Sequence, residues 1–242
     1  MLITSLDNEK VNHLKKLDNK KYRDECGEFL VEGSHLVLEA FKAGILKELF
    51  LEKEEVFPLN VPTTYVTNEI IEKITSLEVH SNILGLCNKL DEEIDVGNKV
   101  LVLDNVQDPG NLGTILRSAV AFGVDTVILG DDTVDMYNTK VIRAAQGMMF
   151  HVNIIRKNLL EYLPILKDSG YKVYGTRVTH GNKLKTIGTL DKYILIMGNE
   201  GNGISEYLEE ICDEFIYIDM MSECESLNVG VAASIILYQI NE

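Results

Sequence analysis

The chain has little of what marks a secreted, membrane-bound or metal-stapled protein. Only four of its 242 residues are cysteine (Cys26, Cys87, Cys212, Cys224), none in a C-x-x-C pair and all far apart. That spacing offers no disulfide framework and suits reduced thiols in a cytoplasmic protein. The five histidines (His13, His35, His80, His151, His180) lack zinc spacing, so core or surface roles are expected and no metal. The strongest apolar stretch, residues 229–238, falls well short of the roughly 20 residues a membrane helix needs. The opening MLITSLDNEK has no basic end leading into an apolar core, so no secretion signal is expected. Two nucleotide fingerprints are also missing: neither G-x-G-x-x-G nor G-x-x-x-x-G-K-[ST] occurs, which leaves dinucleotide and P-loop readings without their motif.

Positive charge is scarce too. Lys and Arg number 23 against 38 Asp and Glu, a formal net charge of −15, which opposes indiscriminate binding to nucleic acid. The excess is evenly shared, with 11 bases and 19 acids in residues 1–95 and 12 and 19 in residues 96–242. One segment departs from it. Between Asn8 and Arg23 stand Lys10, Lys15, Lys16, Lys20, Lys21 and Arg23 against Glu9 and Asp18. This is either a solvated helix face or a phosphate-gripping patch on an otherwise repulsive surface.

What is present reads as a globular α/β protein: 45% hydrophobic and 25% charged residues, with no repeat and no low-complexity tract. An acidic, turn-forming joint at residues 90–98 divides a domain at 1–95 from one at 96–242. In the first, FLVEG and KELFLE read as strands, TTYV as another, and Ser34 as the cap of the helix HLVLEAFKAG. In the second, short apolar strands (KVLVLDN, DTVILG, HVNII, YKVYGTRV, YILIMGN, EFIYID) alternate with helices, which implies a mostly parallel sheet covered on both faces. Ligands of such sheets bind in loops beyond the carboxyl ends of the strands.

Three of those loops carry unusual residues. Residues 105–113 (NVQDPGNLG) lead into a helix bearing Arg117; Asn111 is an N-cap type that could instead present its amide outward, and its six-residue spacing to Arg117 suggests a shared helix side. Arg117, in an otherwise apolar helix, needs a cleft or an acid such as Asp104. Residues 197–205 (MGNEGNGIS) hold three glycines in six positions, enough for close backbone approach to a ligand, with Glu200 among them favouring an amine or hydroxyl over a phosphate. Residues 225–228 (ESLN) open an apolar C-terminal helix, where Ser226 reads as an N-cap and Asn228 as a residue that tightens the first turn.

In this order, NVQDPGNLGTILRSAVAFG, LIMGNEGNGIS and ESLNVGVAASIILY closely resemble the three signature motifs of the SpoU (TrmH) family, S-adenosylmethionine-dependent RNA 2′-O-ribose methyltransferases of the SPOUT class. KVIRAAQGMMFHV resembles the segment between the first two, and KKYRDECGEFLVEGSHLVLEA is similar to the substrate-binding domain of the ribosomal-RNA members. The resemblance implies a trefoil-knotted catalytic domain, a small N-terminal RNA-binding α/β domain, and a homodimer whose site the partner chain could complete. It implies Arg117 as catalytic arginine, with Asn111, Glu200, Ser226 and Asn228 around it. It further implies S-adenosylmethionine held by Met197, Gly198, Asn199, Glu200, Gly201 and Gly203, with Ile218, Met220 and Leu227 from a second loop. RNA is expected at Lys15, Lys16, Lys20, Lys21, Arg23 and Arg143, with Arg156 and Lys157 to examine next; the expected target is large-subunit ribosomal RNA, the alternatives transfer RNA or a non-catalytic RNA-binding role. Arg117 as base and Arg117 as clamp on phosphate and developing alkoxide both remain open. Asp219 stands where the family usually has proline, Ser222 where glycine is common and Ala145 where serine is frequent.

Overall fold

The computed structural model describes residues 2–75, 81–92 and 95–241, so the expectation for His80, and Glu93 and Ile94 of the expected joint, lie outside the described residues. Two compact units result: Met1–Leu90 with Tyr137–Phe150, and Asp91–Met136 with His151–Glu242.

The first unit contains β1 (Leu2–Ile3), α1 (Glu9–Lys16), α2 (Lys20–Cys26), β2 (Glu28–Glu32), α3 (Ser34–Lys42), β3 (Leu46–Glu52), β4 (Thr63–Val66), α4 (Asn68–Ile74) and β5 (Ile83–Asn88). The five strands form a mixed sheet in the order β1-β4-β3-β5-β2. Val11 and Leu14, three apart on α1, and the buried Ile70 and Ile71 of α4 close against Phe50, Val66, Leu84 and Leu86 of the sheet. The basic segment is two short helices rather than one face, because Asn19 starts a second helix by accepting the Tyr22 amide. Gly33, at φ 91°, precedes α3, whose first residue is Ser34; the expected Ser34 side-chain cap is not made. Residues 137–150, which hold α6 (Thr139–Ala145) and all but the last residue of a 3-10 turn (Met148–His151), follow the first strands of the second sheet in sequence but belong to the first unit. Phe29 draws them in, with ring centroids 4.8 Å from Tyr137 and 5.9 Å from Phe150.

The second unit contains β6 (Lys99–Leu103), α5 (Pro109–Ala121), β7 (Thr126–Leu129), β8 (Asn153–Arg156), α7 (Leu159–Asp168), β9 (Lys172–Thr176), β10 (Asn182–Lys183), β11 (Tyr193–Met197), α8 (Glu206–Glu209), β12 (Glu214–Tyr217) and α9 (Val229–Asn241). Its seven strands run in the order β10-β12-β9-β11-β6-β7-β8, and all neighbours are parallel. The central strands are buried throughout, as continuous Val/Ile/Leu runs require. On one face Val100, Val102, Ile194 and Ile196 meet Leu159 and Leu163 of α7 and Leu208 of α8. Residues of opposite parity point to the other face. There Tyr193 bonds Asn241 at the end of α9, and α9 packs along α5, with Ser118 and Ser234 hydroxyls 2.7 Å apart. No helix among the described residues is long and apolar enough to cross a membrane.

Candidate functional site

At the carboxyl ends of β9, β11 and β12 the sheet opens into a cavity of about 550 Å³. Its walls include Met197, Gly198, Asn199, Glu200, Gly201 and Gly203 after β11, and Ile218, Met220, Ser226 and Leu227 between β12 and α9. Every residue proposed from sequence for cofactor contact thus lines one cavity. Thr176 at the end of β9 and residues 177–180 after it line it as well, with Glu209, Val229, Ala232 and Ile236. Residues 177–180 also follow a strand of this sheet, but they carry no glycine cluster that would mark them in the sequence.

The glycine-rich loop is held by its own asparagine. Asn199 exchanges backbone hydrogen bonds with Gly203, its Oδ1 accepts the amides of Gly201 and Asn202, and its Nδ2 donates to the Asn105 carbonyl. Asn199 therefore shapes the wall through its side chain. Gly198 is irreplaceable on steric grounds, since a Cβ there would overlap the Gly203 carbonyl carbon and the Ile204 nitrogen. A Cβ on Gly201 meets only Asn199 Oδ1, at 3.6 Å. Ser205 caps the far end of the loop onto Asp104, whose buried carboxylate accepts both the Ser205 amide (2.8 Å) and hydroxyl (2.7 Å).

Asn111, Glu200 and Asn228 converge from the three signature loops. Asp108, not Asn111, caps α5, with Pro109 following at the first helical position. This frees the Asn111 side chain, whose Nδ2 donates to Glu200 Oε1 (3.0 Å) and whose Oδ1 accepts from Asn228 Nδ2 (2.7 Å). Asn228 caps α9 in turn, its Oδ1 accepting the amides of Gly230 and Val231; the helix starts at Val229, and Ser226 is exposed and caps nothing. Glu200 also accepts the amides of Gln107 and Asp108. Burial alone would raise its carboxyl, but the bonds from Asn111 and from backbone amides outweigh that and hold it below the usual 4.5. Glu200 is thus an ionised tie between two loops, so its expected contact with a ligand amine or hydroxyl has to coexist with this bonding.

Arg117 stands apart. It is exposed and has no hydrogen bond or ion pair among the described residues; Asp104 is bonded to Ser205 instead. Six residues at 100° each also leave Arg117 about 120° around the helix from Asn111, so the two do not share a side. Nor does Arg117 line the cavity of its own chain; of the expected catalytic set Glu200 and Ser226 do, whereas Asn111 and Asn228 reach it only through Glu200.

The basic residues are less available than their spacing suggests. Arg23 is buried and donates to the Leu17 and Asp18 carbonyls at 2.7 Å, closing the turn between α1 and α2, so it is withdrawn from the patch. Lys20 and Lys21 pair with Asp24 and Glu25, Lys15 donates to the Leu6 carbonyl, and Lys16 lies over the Tyr22 ring. Arg156 grips the loop after β7 through four carbonyls (Gly130, Asp131, Thr133, Val134), which makes it a structural anchor. Arg143 is half-buried in the last turn of α6, and Lys157 lies over Tyr162. Asp219 accepts from Lys183 and Lys185, which hold its carboxyl below the usual range and fasten the loop carrying Ile218 and Met220; Ser222 bonds Glu223, and Ala145 is buried.

An all-parallel sheet with a ligand-sized cavity at its carboxyl edge, walled by a glycine loop and rimmed by bonded polar side chains, defines an α/β ligand-binding enzyme domain. Residues 98–238 match the SpoU rRNA methylase family, and residues 8–87 match the MRM3-like substrate binding domain. The chain belongs to the SpoU rRNA methylase family. It is 42% identical over 98% of both chains to a Bacillus subtilis protein named 23S rRNA (guanosine(2553)-2′-O)-methyltransferase RlmP. Its fold matches an AdoMet-bound rRNA methyltransferase from Sinorhizobium meliloti with a TM-score of 0.88 at 28% identity, covering 99% of this chain and 97% of that one. It also shares the fold of the SpoU methyltransferase AviRb from Streptomyces viridochromogenes, at TM-score 0.85 and 23% identity over 96% of this chain and 97% of the other.

Proposed function

We propose that the chain transfers a methyl group from S-adenosylmethionine to a ribose 2′-hydroxyl of large-subunit ribosomal RNA, as the name of the Bacillus subtilis relative states for that protein. The observation that carries this reading is the cavity at the sheet edge, lined by Glu200, whose carboxylate accepts from Asn111, which in turn accepts from Asn228. The cavity suits the cofactor: its volume falls in the range for small-molecule sites, its wall combines apolar side chains (Ile218, Met220, Leu227) with closely approachable glycine backbone, and Gly198 admits no side chain. S-adenosylmethionine supplies an electrophilic methyl group on a sulfonium, so the protein's task is alignment rather than covalent help.

The remaining chemistry falls to the chain's own groups. Asn111, fixed in orientation by Glu200 and Asn228, ties the start of α5 to the cavity-lining Glu200. The acceptor hydroxyl loses its proton as the new bond forms. Arg117 grips phosphate and stabilises the developing alkoxide, and the proton leaves to a phosphate oxygen or water.

The protein works as a homodimer in this reading. Val231, Ile235 and Tyr238 form an exposed apolar stripe on α9 at near-helical spacing, and Phe122, the residue that ends α5, packs edge-on to Tyr238. Arg117, unbonded on the adjoining α5, then serves the partner's cavity. The trefoil knot and the cytoplasmic location belong to the same reading, as does RNA capture by the N-terminal unit.

The test is transfer of labelled methyl from S-adenosylmethionine to protein-free 23S ribosomal RNA, with transfer RNA in parallel and the product mapped for 2′-O-methylation. Ribose methylation of the ribosomal RNA is expected. Methylation of transfer RNA alone would change the substrate class, and cofactor binding without transfer to either RNA would favour the non-catalytic role.

A further inference from the structure

Arg177 and Glu209 form the one Arg–Glu ion pair among the described residues that line the cavity, and the reaction outlined above does not use it. Arg177 follows β9, and Glu209 ends α8, the helix that the glycine loop leads into. The pair is two-pronged: Nε donates to Oε1 at 3.1 Å and Nη2 to Oε2 at 2.7 Å. The guanidinium also lies over the Phe215 ring, its carbon 3.5 Å from the centroid, so its plane is fixed. That leaves Nη1 with no partner among the described residues. Both side chains are about one-third exposed, 35% and 34%, and a pair at that exposure contributes little to stability by itself.

We infer that Arg177 and Glu209 form a subsite for the amino-acid end of the cofactor, an α-carboxylate beside an α-ammonium. A guanidinium N–H edge is the strongest side-chain donor to a carboxylate, and it is already oriented here by Phe215 and Glu209. The Glu209 carboxylate has accepted one bond at each oxygen and keeps lone pairs for an ammonium. A paired cation and anion thus meet a zwitterion, so neither protein charge is left uncompensated when the ligand covers it. The apolar wall of Ile218, Met220 and Leu227 offers the cavity's other surface, suited to the purine. The inference rests on the proposed cofactor, and its test separates the two.

The experiment compares two neutral thioethers by calorimetry on the full chain. S-adenosylhomocysteine carries the amino-acid end, whereas 5′-methylthioadenosine keeps the nucleoside and replaces that end with a methyl group. Arg177→Met keeps an apolar stem over Phe215 and removes the donors. It should weaken S-adenosylhomocysteine about tenfold or more, as loss of a charge-assisted bond does, while 5′-methylthioadenosine stays within about twofold. Glu209→Gln, nearly isosteric, should show the same selectivity and carries the test if Arg177→Met does not fold. Parallel weakening of both ligands overturns the subsite and leaves the pair as cavity wall. A wild-type chain that binds neither ligand overturns the cofactor reading itself.

Discussion

Asn111 donates its Nδ2 to Glu200 Oε1 across 3.0 Å, although 89 residues separate them. Neither residue could hold this geometry alone. Asp108 takes over the helix cap that Asn111 would otherwise make, and Asn228 donates to Asn111 Oδ1, which fixes which end of the amide faces Glu200. The contact joins the first turn of α5 to the loop after β11, whose Glu200 lines the cavity.

Glu200 makes that joint dependent on pH, in a direction its bonding sets. Its folded carboxyl lies below the usual 4.5, so its contribution to stability is present above about 4.5 and disappears as pH falls through the lower folded value. Glu200→Gln removes the charge at every pH. Wild type should therefore exceed the variant in stability near neutrality, and the gap should close in acid. Urea unfolding of both proteins from about pH 7 down to about pH 3.5 measures it. A gap that stays constant would show that Glu200 is not an ionised tie.

The two glycines of the loop should behave differently. At Gly198 a Cβ overlaps backbone of Gly203 and Ile204, so Gly198→Ala must displace the loop and should lower thermal stability as well as cofactor binding. At Gly201 the nearest atom to a Cβ is Asn199 Oδ1 at 3.6 Å, so Gly201→Val should fold normally while filling ligand space. Calorimetry with S-adenosylmethionine should show at least about a tenfold loss for Gly201→Val, the size expected when a branched group intrudes on a close contact. Unchanged affinity in a folded Gly201→Val would place the cofactor elsewhere.

Much of this was legible because parallel strands announce themselves. The buried run YILIM became β11, TTYV became β4 without adjustment, and the loops after such strands are where ligands bind. What failed was local bonding that depends on distant partners. Ser34 and Ser226 read as caps by residue type, yet Gly33 precedes one helix and Asn228 caps the other. Asp104 looked like a partner for Arg117, but the Ser205 amide and hydroxyl reach it from a loop 101 residues away. Arg23 reads as an RNA contact and Arg156 as the next candidate for one, yet each turns inward onto carbonyls that no spacing rule identifies. The two-residue β10 fell below any periodicity signal.

How a chain of net charge −15 holds RNA remains a matter of local patches. With Arg23 turned inward and Lys10 paired to Glu48, the basic segment keeps Lys15, Lys16, Lys20 and Lys21, the last two in exposed i,i+4 pairs. Such pairs are worth at most about 1 kcal/mol, so a phosphate can recruit the lysines from them. Changing all four to Glu should weaken RNA binding and lower the slope of log K against log salt by about one unit per lost contact. Filter binding at several salt concentrations, with cofactor affinity as the control, reads both. An unchanged slope would leave α1 and α2 as an ordinary solvated surface.

Arg117 offers the sharpest division between a site built within one chain and one shared by two. It is exposed, unbonded among the described residues and absent from its own cavity wall, so Arg117→Ala should change stability by less than about 0.5 kcal/mol. Cofactor binding should persist, while methyl transfer should fall by about a hundredfold or more, the scale on which lost electrostatic stabilisation of a developing oxyanion is felt. Gly201→Val should be inactive for the opposite reason, keeping Arg117 but filling the cavity. If each Arg117 acts in the partner's cavity, mixing the two inactive variants and allowing subunits to exchange creates heterodimers with one complete site. That site pairs the open cavity of the Arg117→Ala chain with the arginine of the Gly201→Val chain. Activity should then return in the mixture, rising with the time allowed for exchange. If Arg117 instead serves its own cavity, no heterodimer holds a complete site and the mixture stays as inactive as its components.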